Sequence, residues 1–282
     1  MSISGAAKLA GVMGWPVAHS RSPALHGYWL AEHKIDGAYV PMPVEPKNLD
    51  AALRALPALG FRGCNLTLPH KEAALAIVDE LDPSARRAGA ANTIVVAEDG
   101  RLIGRNSDMF GFLEALHEGA PGWDAKDGPA VVLGAGGGAR SVVAALLDAG
   151  TPEIRLLNRT EARAASLAAE LGGTITVLPW KERADALEGA ALLVNATSLG
   201  LEGRTALDLP LDHLPRDAVV NDIVYVPLET PLLAAARARG NRAVDGLGML
   251  LHQGRPGFAV WYGIMPEVTQ GLRRAMLATF GQ

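Results

Sequence analysis

The sequence predicts an α/β protein of two domains. Three observations carry that expectation. Short β-branched runs alternate with Ala-rich helical stretches between residues 130 and 245, and a glycine-rich turn joins one such run to a helix at 134–139. The chain has 282 residues, 49% of them apolar, about twice the length of an average domain and rich enough to bury a sizeable core. Strand–helix alternation implies a parallel sheet with helical crossovers.

In chain order, Leu9–Met13 reads as a strand and a helix starts at Ser22-Pro23. Ala38–Val40 and Gly63–Leu66 are further strands. Thr67 is placed to cap a helix whose apolar stripe is Ala74, Ile77, Val78 and Leu81, at helical period. Thr93–Ala97 and Leu102–Gly104 flank Asp99-Gly100, a strong hairpin signal. Ala130–Leu133, Glu153–Leu157, Thr174–Val177, Ala191–Asn195 and Ala218–Ile223 are expected as buried strands, with helices at 138–149, 161–171 and 231–239. The last helix has Thr230 as N-cap and Pro231 at its first position. Beyond 245 more helix follows, with Pro266 expected to open a closing segment carrying Val268, Leu272, Met276 and Phe280.

Composition excludes several function classes. Thirty acidic against 26 basic residues give a net charge of -4, the wrong sign for a nucleic-acid or anionic-membrane partner. The longest run without Asp, Glu, Lys or Arg is Gly189–Leu201, 13 residues, where a membrane helix needs about 20. The first positive charge is Lys8, with no long apolar region behind it, so no signal peptide is expected. Cys64 is the single cysteine, which excludes an internal disulfide and fits a reducing, cytoplasmic setting. The seven histidines show no metal-ligand spacing, and no metal is expected. Monomer and homodimer both stay open.

The turn Gly134-Ala135-Gly136-Gly137-Gly138-Ala139 satisfies G-x-G-x-x-A between a strand and a helix. Gly134 permits the tight turn, Gly136 lets backbone approach a pyrophosphate, and Ala139 keeps the helix close to the sheet. A turn that merely packs helix on sheet is the plainer alternative. The next strand ends in Leu157-Asn158-Arg159-Thr160, with Arg163 one turn later. An NAD site wants an acid there for the ribose 2′-hydroxyl; two guanidinium groups and a hydroxyl suit a 2′-phosphate instead, so NADP is the expected cofactor. Solvated surface arginines are the alternative.

Polar clusters punctuate the first domain: His19-Ser20-Arg21-Ser22-Pro23, Asn65-Leu66-Thr67-Leu68-Pro69-His70-Lys71, Gly89-Ala90-Ala91-Asn92-Thr93 and Gly104-Arg105-Asn106-Ser107-Asp108. Further on stand Asn195-Ala196-Thr197-Ser198, Asp222-Ile223-Val224-Tyr225 and Asp245-Gly246-Leu247-Gly248-Met249 with Gln253. Together with the glycine turn and Asn158-Arg159-Thr160, these resemble the shikimate dehydrogenase family, in order and over essentially the whole chain. Leu66 and Ala91 stand where valine is more usual, and Ser107 where threonine is; none of these removes a functional group.

The resemblance implies two α/β domains with a cleft between them. With the boundaries that the change in texture puts near 112 and 245, residues 1–112 plus 246–282 would form a discontinuous substrate-binding and catalytic domain with a mostly parallel sheet, and 113–245 a Rossmann-like NADP-binding domain. It implies reduction of 3-dehydroshikimate to shikimate with NADPH, in aromatic amino-acid biosynthesis. Lys71 and Asp108 would be the catalytic pair. Ser20 and Ser22 would bind the substrate carboxylate, and Asn65, Thr67, Asn92, Tyr225 and Gln253 would complete the substrate site. Ala196, Thr197, Ser198, Val224 and Met249 would line the nicotinamide end, with plain core as the alternative for the apolar ones, and Gly246 would belong to the cofactor site.

The residues make chemical sense of this. A ketone that accepts hydride becomes an alkoxide, which a positioned ammonium can protonate and stabilise. The plainer readings are a solvated lysine at 71, a helix cap at 108, and loop and N-cap work for Ser20 and Ser22. The helix dipole disfavours a cation in the first turn where Lys71 falls, which argues against the first of these. Alternatives at the level of function are a quinate/shikimate or amino-shikimate paralogue and a non-catalytic, metabolite-sensing relative.

Overall fold

In the computed structural model, which describes residues 3–280, the chain forms two compact units: Met1–Ser107 with Gln253–Gln282, and Asp108–His252. The changes of unit fall at 107/108 and 252/253, where texture predicted 112/113 and 245/246. Helices explain the difference. One starts at Asp108 and packs on the second unit's own helix and edge strand, and another runs unbroken from Gly246 to Tyr262, so no loop marks either change.

The first unit carries the strands β1 (Lys8–Gly14), β2 (Gly37–Pro43), β3 (Gly63–Leu66), β4 (Glu80–Leu81), β5 (Thr93–Val96) and β6 (Leu102–Arg105). They form one sheet in the order β2-β1-β3-β5-β6-β4. The pairs β1/β2, β1/β3 and β4/β6 are parallel; β3/β5 and β5/β6 are antiparallel. The β5–β6 hairpin turns at Asp99-Gly100 as the sequence predicts, with Gly100 at φ 85°. Its helices are α1 (Ser22–Glu32), α2 (Leu49–Ala55), α3 (His70–Ala73) and α4 (Pro83–Ala88). Met13, Leu53, Leu66, Ile94 and Leu102 are buried in its core.

The second unit contains α5 (Asp108–Gly119), β7 (Ala130–Leu133), α6 (Gly137–Asp148), β8 (Ile154–Leu157), α7 (Glu161–Leu171), β9 (Ile175–Leu178), β10 (Leu192–Asn195), β11 (Val219–Asp222), α8 (Pro231–Arg239) and β12 (Arg242–Val244). Its six strands are all parallel, in the order β12-β11-β10-β7-β8-β9. Counted from β7, that is the 3-2-1-4-5-6 order of a dinucleotide-binding sheet, with its switch point between β7 and β10. The inner strands β7, β10 and β11 are buried on both faces, which is why they read as short, largely apolar runs. The chain closes with α9 (Gly246–Tyr262) and α10 (Gln270–Leu277).

Three local expectations need correction. Thr67 caps nothing: α3 is a single turn with Pro69 at its N-cap, and the stripe from Ala74 continues as a 3₁₀ turn and then as β4. The register Glu80↔Ile103 and Leu81↔Gly104 draws that segment onto the sheet, so long-range pairing overrides helical period. Pro266 lies outside a helix; α10 starts after Thr269, whose hydroxyl accepts from the Leu272 amide at 3.1 Å. Ser22 is the first residue of α1, with Arg21 at the N-cap and no side-chain cap bond, so capping does not occupy its hydroxyl. Thr230 does cap α8, accepting from Leu233 N at 3.3 Å.

Candidate active site

One end of the first unit's sheet gathers the polar clusters. The carboxyl ends of β1, β3 and β6 and the start of β5 all open there, because β5 runs antiparallel to its neighbours. After β1 the chain turns, with Ser20 N donating to Val17 O at 2.9 Å and Ser22 N to Ser20 Oγ at 3.3 Å. After β3, Thr67 N donates to Met13 O at 2.9 Å and sets the start of α3, where Lys71 stands half-buried. The Lys71 carbonyl accepts from Ala91 N at 2.8 Å, which pins the lysine's backbone beside Asn92.

Below this rim lies a buried hydrogen-bond network. Asn65 Nδ2 donates to Asn92 O at 3.0 Å and to Thr93 Oγ1 at 3.2 Å. Thr93 Oγ1 donates to Asn92 Oδ1 at 2.9 Å, and Ser107 donates to the same oxygen from its amide (2.9 Å) and its hydroxyl (3.1 Å). Every member is buried, so the unmade alternative for each polar group would be costly, and the network has one arrangement. The sequence motifs gave Thr93 and Ser107 no role of their own; Thr93 adjoins Asn92 in the chain, and the β5–β6 pairing brings Ser107 to it.

Asp108 follows Ser107, buried, as the first residue of α5, and belongs to the second unit. Lys71 and Asp108 therefore fall in different units. Gln253 is half-buried on α9 in the first unit; Tyr225 is half-buried in the loop after β11 in the second.

At the switch point of the second sheet, Gly134 has φ 112° and its amide donates to Leu157 O at 2.7 Å. A Cβ there would sit 2.7 Å from Ala196 O, so only glycine lets the turns after β7 and β10 meet. Gly136 is the N-cap of α6 with no side-chain cap, and a Cβ at Gly136 or Gly137 would meet nothing within 4 Å. The first amides of α6 thus face an open cradle of the kind a pyrophosphate fills. At the end of β8, Asn158 Nδ2 donates to Thr160 O at 2.8 Å and shapes the turn. Arg159, Thr160 and Arg163 are exposed at the start of α7, and no acidic side chain among the described residues engages either guanidinium. The donor set fits a dinucleotide bearing a 2′-phosphate.

The loops expected at a nicotinamide end are tied by a polar pair to which the sequence motifs gave no separate role. Asn195 Nδ2 donates to Asp222 Oδ1 at 3.0 Å, and Asn195 Oδ1 accepts from the Thr197 amide (3.1 Å) and hydroxyl (2.7 Å). Asp222 accepts from Val224 N at 3.0 Å and Thr230 Oγ1 at 2.8 Å. Burial raises the Asp222 pKa, and those hydrogen bonds oppose the rise. Val224 is thereby fixed, and Ala196 lies beside Gly134, with Ser198 exposed just beyond. Gly246 opens α9 where a Cβ would meet Ile223 O at 2.4 Å, and Met249 packs half-buried on the unit's core. Cys64 is buried and burial pushes its thiol pKa up, which leaves it inert. Among the described residues no cluster of three or more His, Cys, Asp or Glu could hold a metal, and no helix is long and apolar enough to cross a membrane.

Known proteins resemble the chain across both units. Residues 12–94 match the shikimate dehydrogenase substrate binding domain, and residues 118–201 the shikimate/quinate 5-dehydrogenase family. The chain is 61% identical to a shikimate dehydrogenase (NADP(+)) of Paramagnetospirillum magneticum, over 98% of this chain and 100% of that one. A shikimate 5-dehydrogenase of Thermus thermophilus, solved with NADP(H) and shikimate, superposes with a TM-score of 0.85 at 43% identity, covering 96% of this chain and 99% of that one. A quinate dehydrogenase of Corynebacterium glutamicum, solved with NAD, gives a TM-score of 0.88 at 29% identity, with 98% and 99% covered. The chain belongs to the shikimate dehydrogenase family.

Proposed function

We propose that the protein is an NADP-dependent oxidoreductase that reduces the 3-keto group of 3-dehydroshikimate to give shikimate. The observation that carries this reading is the convergence of Asn65, Asn92, Thr93 and Ser107 at the sheet end where Lys71 stands, in a chain 61% identical to a shikimate dehydrogenase (NADP(+)). Substrate is assigned to the first unit and cofactor to the second, and the setting to the cytoplasm.

The dinucleotide, when bound at the glycine turn, supplies the hydride that reaches the carbonyl carbon. The chain's own residues do the rest. The Lys71 ammonium donates its proton to the carbonyl oxygen as the alkoxide forms, and its charge stabilises that oxygen on the way. Asp108 accepts a hydrogen bond from a substrate hydroxyl and serves the same proton-transfer step as the lysine. Ser20 and Ser22 bind the carboxylate, far from the reacting carbon, so they anchor and orient the ring. Asn65, Thr67, Asn92 and Gln253 of the first unit hold the hydroxyls, and close seating matters because a buried polar group left unpaired is costly. In the reverse direction the same lysine, as the free amine, takes the hydroxyl proton.

The quinate dehydrogenase likeness favours one second reading, a quinate/shikimate enzyme. Initial rates with shikimate and quinate, each with NADP⁺ and NAD⁺, decide between them. The proposal expects kcat/KM to be highest for shikimate with NADP⁺; comparable values for quinate would establish the second reading, and no reduction of either dinucleotide would overturn both.

A further inference from the structure

We propose that Tyr39 is a positioning residue of the substrate site, acting through Asn65, which its phenol locks into one orientation from behind. Tyr39 lies in the middle of β2 and is buried, as a core aromatic would be. Its hydroxyl, however, donates to Asn65 Oδ1 at 2.6 Å, across from the next-but-one strand of the sheet.

The polarity of that bond fixes the amide. An asparagine can turn its oxygen and nitrogen end for end, and only its partners choose between the two. With Oδ1 committed to the phenol, Nδ2 must point to Asn92 O and Thr93 Oγ1, and both of its hydrogens are spent there. Asn65 then meets a substrate only as an acceptor, through the second lone pair of Oδ1. It suits a hydroxyl and gives nothing to a carboxylate. Burial, aided by the thiol of Cys64, lifts the phenol's pKa well above 10, against a downward pull from the Ser22 hydroxyl, so the donor stays a donor.

The phenol is itself held by a platform. His26 stacks on Tyr39 with ring centroids 4.0 Å apart and planes 1° from parallel. His26 stands four residues after Ser22 on α1, so the two share a helix face. Trp29, Phe258 and Trp261 close around the imidazole at 5.6–5.9 Å, and Trp261 Nε1 donates to Ile94 O at 3.0 Å. The stack leaves the tyrosine ring no room to swing away from Asn65.

The inference rests on the substrate site proposed above, and its test separates the two. Tyr39→Phe keeps the ring on His26 and removes only the donor. Expected is a KM for shikimate raised about three- to tenfold, the range of a neutral hydrogen bond's net worth, with KM for NADP⁺ unchanged and kcat changed less than twofold. In an Asn65→Ala background the same substitution is expected to change KM for shikimate by less than twofold. Placing para-aminophenylalanine at 39, which restores a donor at the same ring position, is expected to bring KM back to within about threefold of the parent. KM is read on whatever fraction folds, so partial loss of stability does not mask it. If Asn65→Ala raises KM while Tyr39→Phe does not, or if the two effects multiply, Tyr39 is ordinary core and the inference fails alone. If Asn65→Ala leaves KM untouched, the substrate-site assignment fails and takes this inference with it.

Discussion

Asn92 Oδ1 accepts three hydrogen bonds, two of them from Ser107, whose amide and hydroxyl reach it at 2.9 and 3.1 Å. The third comes from Thr93 Oγ1 at 2.9 Å. Such a cradle would hold a carboxylate oxygen as well as an amide oxygen, so what distinguishes asparagine here is the other end of its side chain. Asn92→Asp is therefore expected to fold normally, with a melting temperature within a few degrees of the parent. It exchanges an N–H donor for an anionic acceptor in a site built for an anionic substrate, and KM for shikimate is expected to rise at least tenfold. Thermal unfolding and initial rates on the one variant check both halves; an unchanged KM would show that Asn92 faces the protein alone.

Cofactor choice is assigned to Arg159 and Arg163, which stand exposed and unengaged by any carboxylate among the described residues at the start of α7. Removing Arg159 as Ala is expected to weaken NADP⁺ binding by about ten- to hundredfold, the worth of a charge-assisted contact of about 1.5–3 kcal/mol. NAD⁺, which lacks the 2′-phosphate, should be affected less than twofold. Dissociation constants for both dinucleotides, by fluorescence or calorimetry, settle the matter. Equal losses would assign the arginine to the fold.

Why some of these features are legible in the sequence, and others are not, follows from the range of the forces involved. The glycine turn is a local steric statement: Gly134 at φ 112° with a carbonyl where its Cβ would be is written in four residues. The largely buried strands β7, β8, β10 and β11 of the second unit are likewise local, and their predicted bounds lie within one or two residues of those observed. By contrast, β4 exists only because Glu80 and Leu81 find Ile103 and Gly104, and in the sequence those residues continue a helical stripe. Tyr39 and His26 look like core aromatics, and by burial they are. That the phenol's one polar atom is spent on Asn65 depends on β1 and β2 pairing in a register no local pattern carries.

His26 also carries a pH signature. It is fully buried among Trp29, Tyr39, Phe258 and Trp261, and burial drives its pKa down to about 3, against a smaller upward pull from Asn65 near the ring edge. Neither ring nitrogen has a hydrogen-bond partner. In the unfolded chain the imidazole titrates near 6.5. Between about pH 6.5 and 3 the unfolded state therefore holds a proton that the folded state does not, and stability falls as pH drops, by up to about 1.4 kcal/mol per unit. Going from pH 7 to pH 5 should cost the parent about 2 kcal/mol more than it costs His26→Phe, which keeps the stack and cannot protonate. Denaturant unfolding of both proteins at the two pH values measures this directly, since the carboxylates common to both cancel in the comparison. Equal losses would mean that the histidine protonates within the fold.

The chemistry itself is tested on Lys71 and Asp108. Lys71→Met removes the proton donor and keeps an apolar stem of similar length on a residue whose backbone is pinned by Ala91 N, so the variant is expected to fold and to bind both ligands. Its kcat is expected to fall by about 10²–10⁴-fold, the contribution of general acid–base catalysis, with the loss of alkoxide stabilisation added to it. Asp108→Asn keeps shape at the start of α5 and deletes the charge, and is expected to lower kcat as well. If both residues act on one proton-transfer step, removing the aspartate has little left to damage once the ammonium is gone. The double variant should lose much less than the product of the two single losses. Three kcat values, each on protein shown by circular dichroism to be folded, complete the cycle. Activity retained in Lys71→Met would take the lysine out of the mechanism, and multiplicative losses would mean that the two side chains serve separate steps, with the aspartate then assigned to the substrate hydroxyl alone.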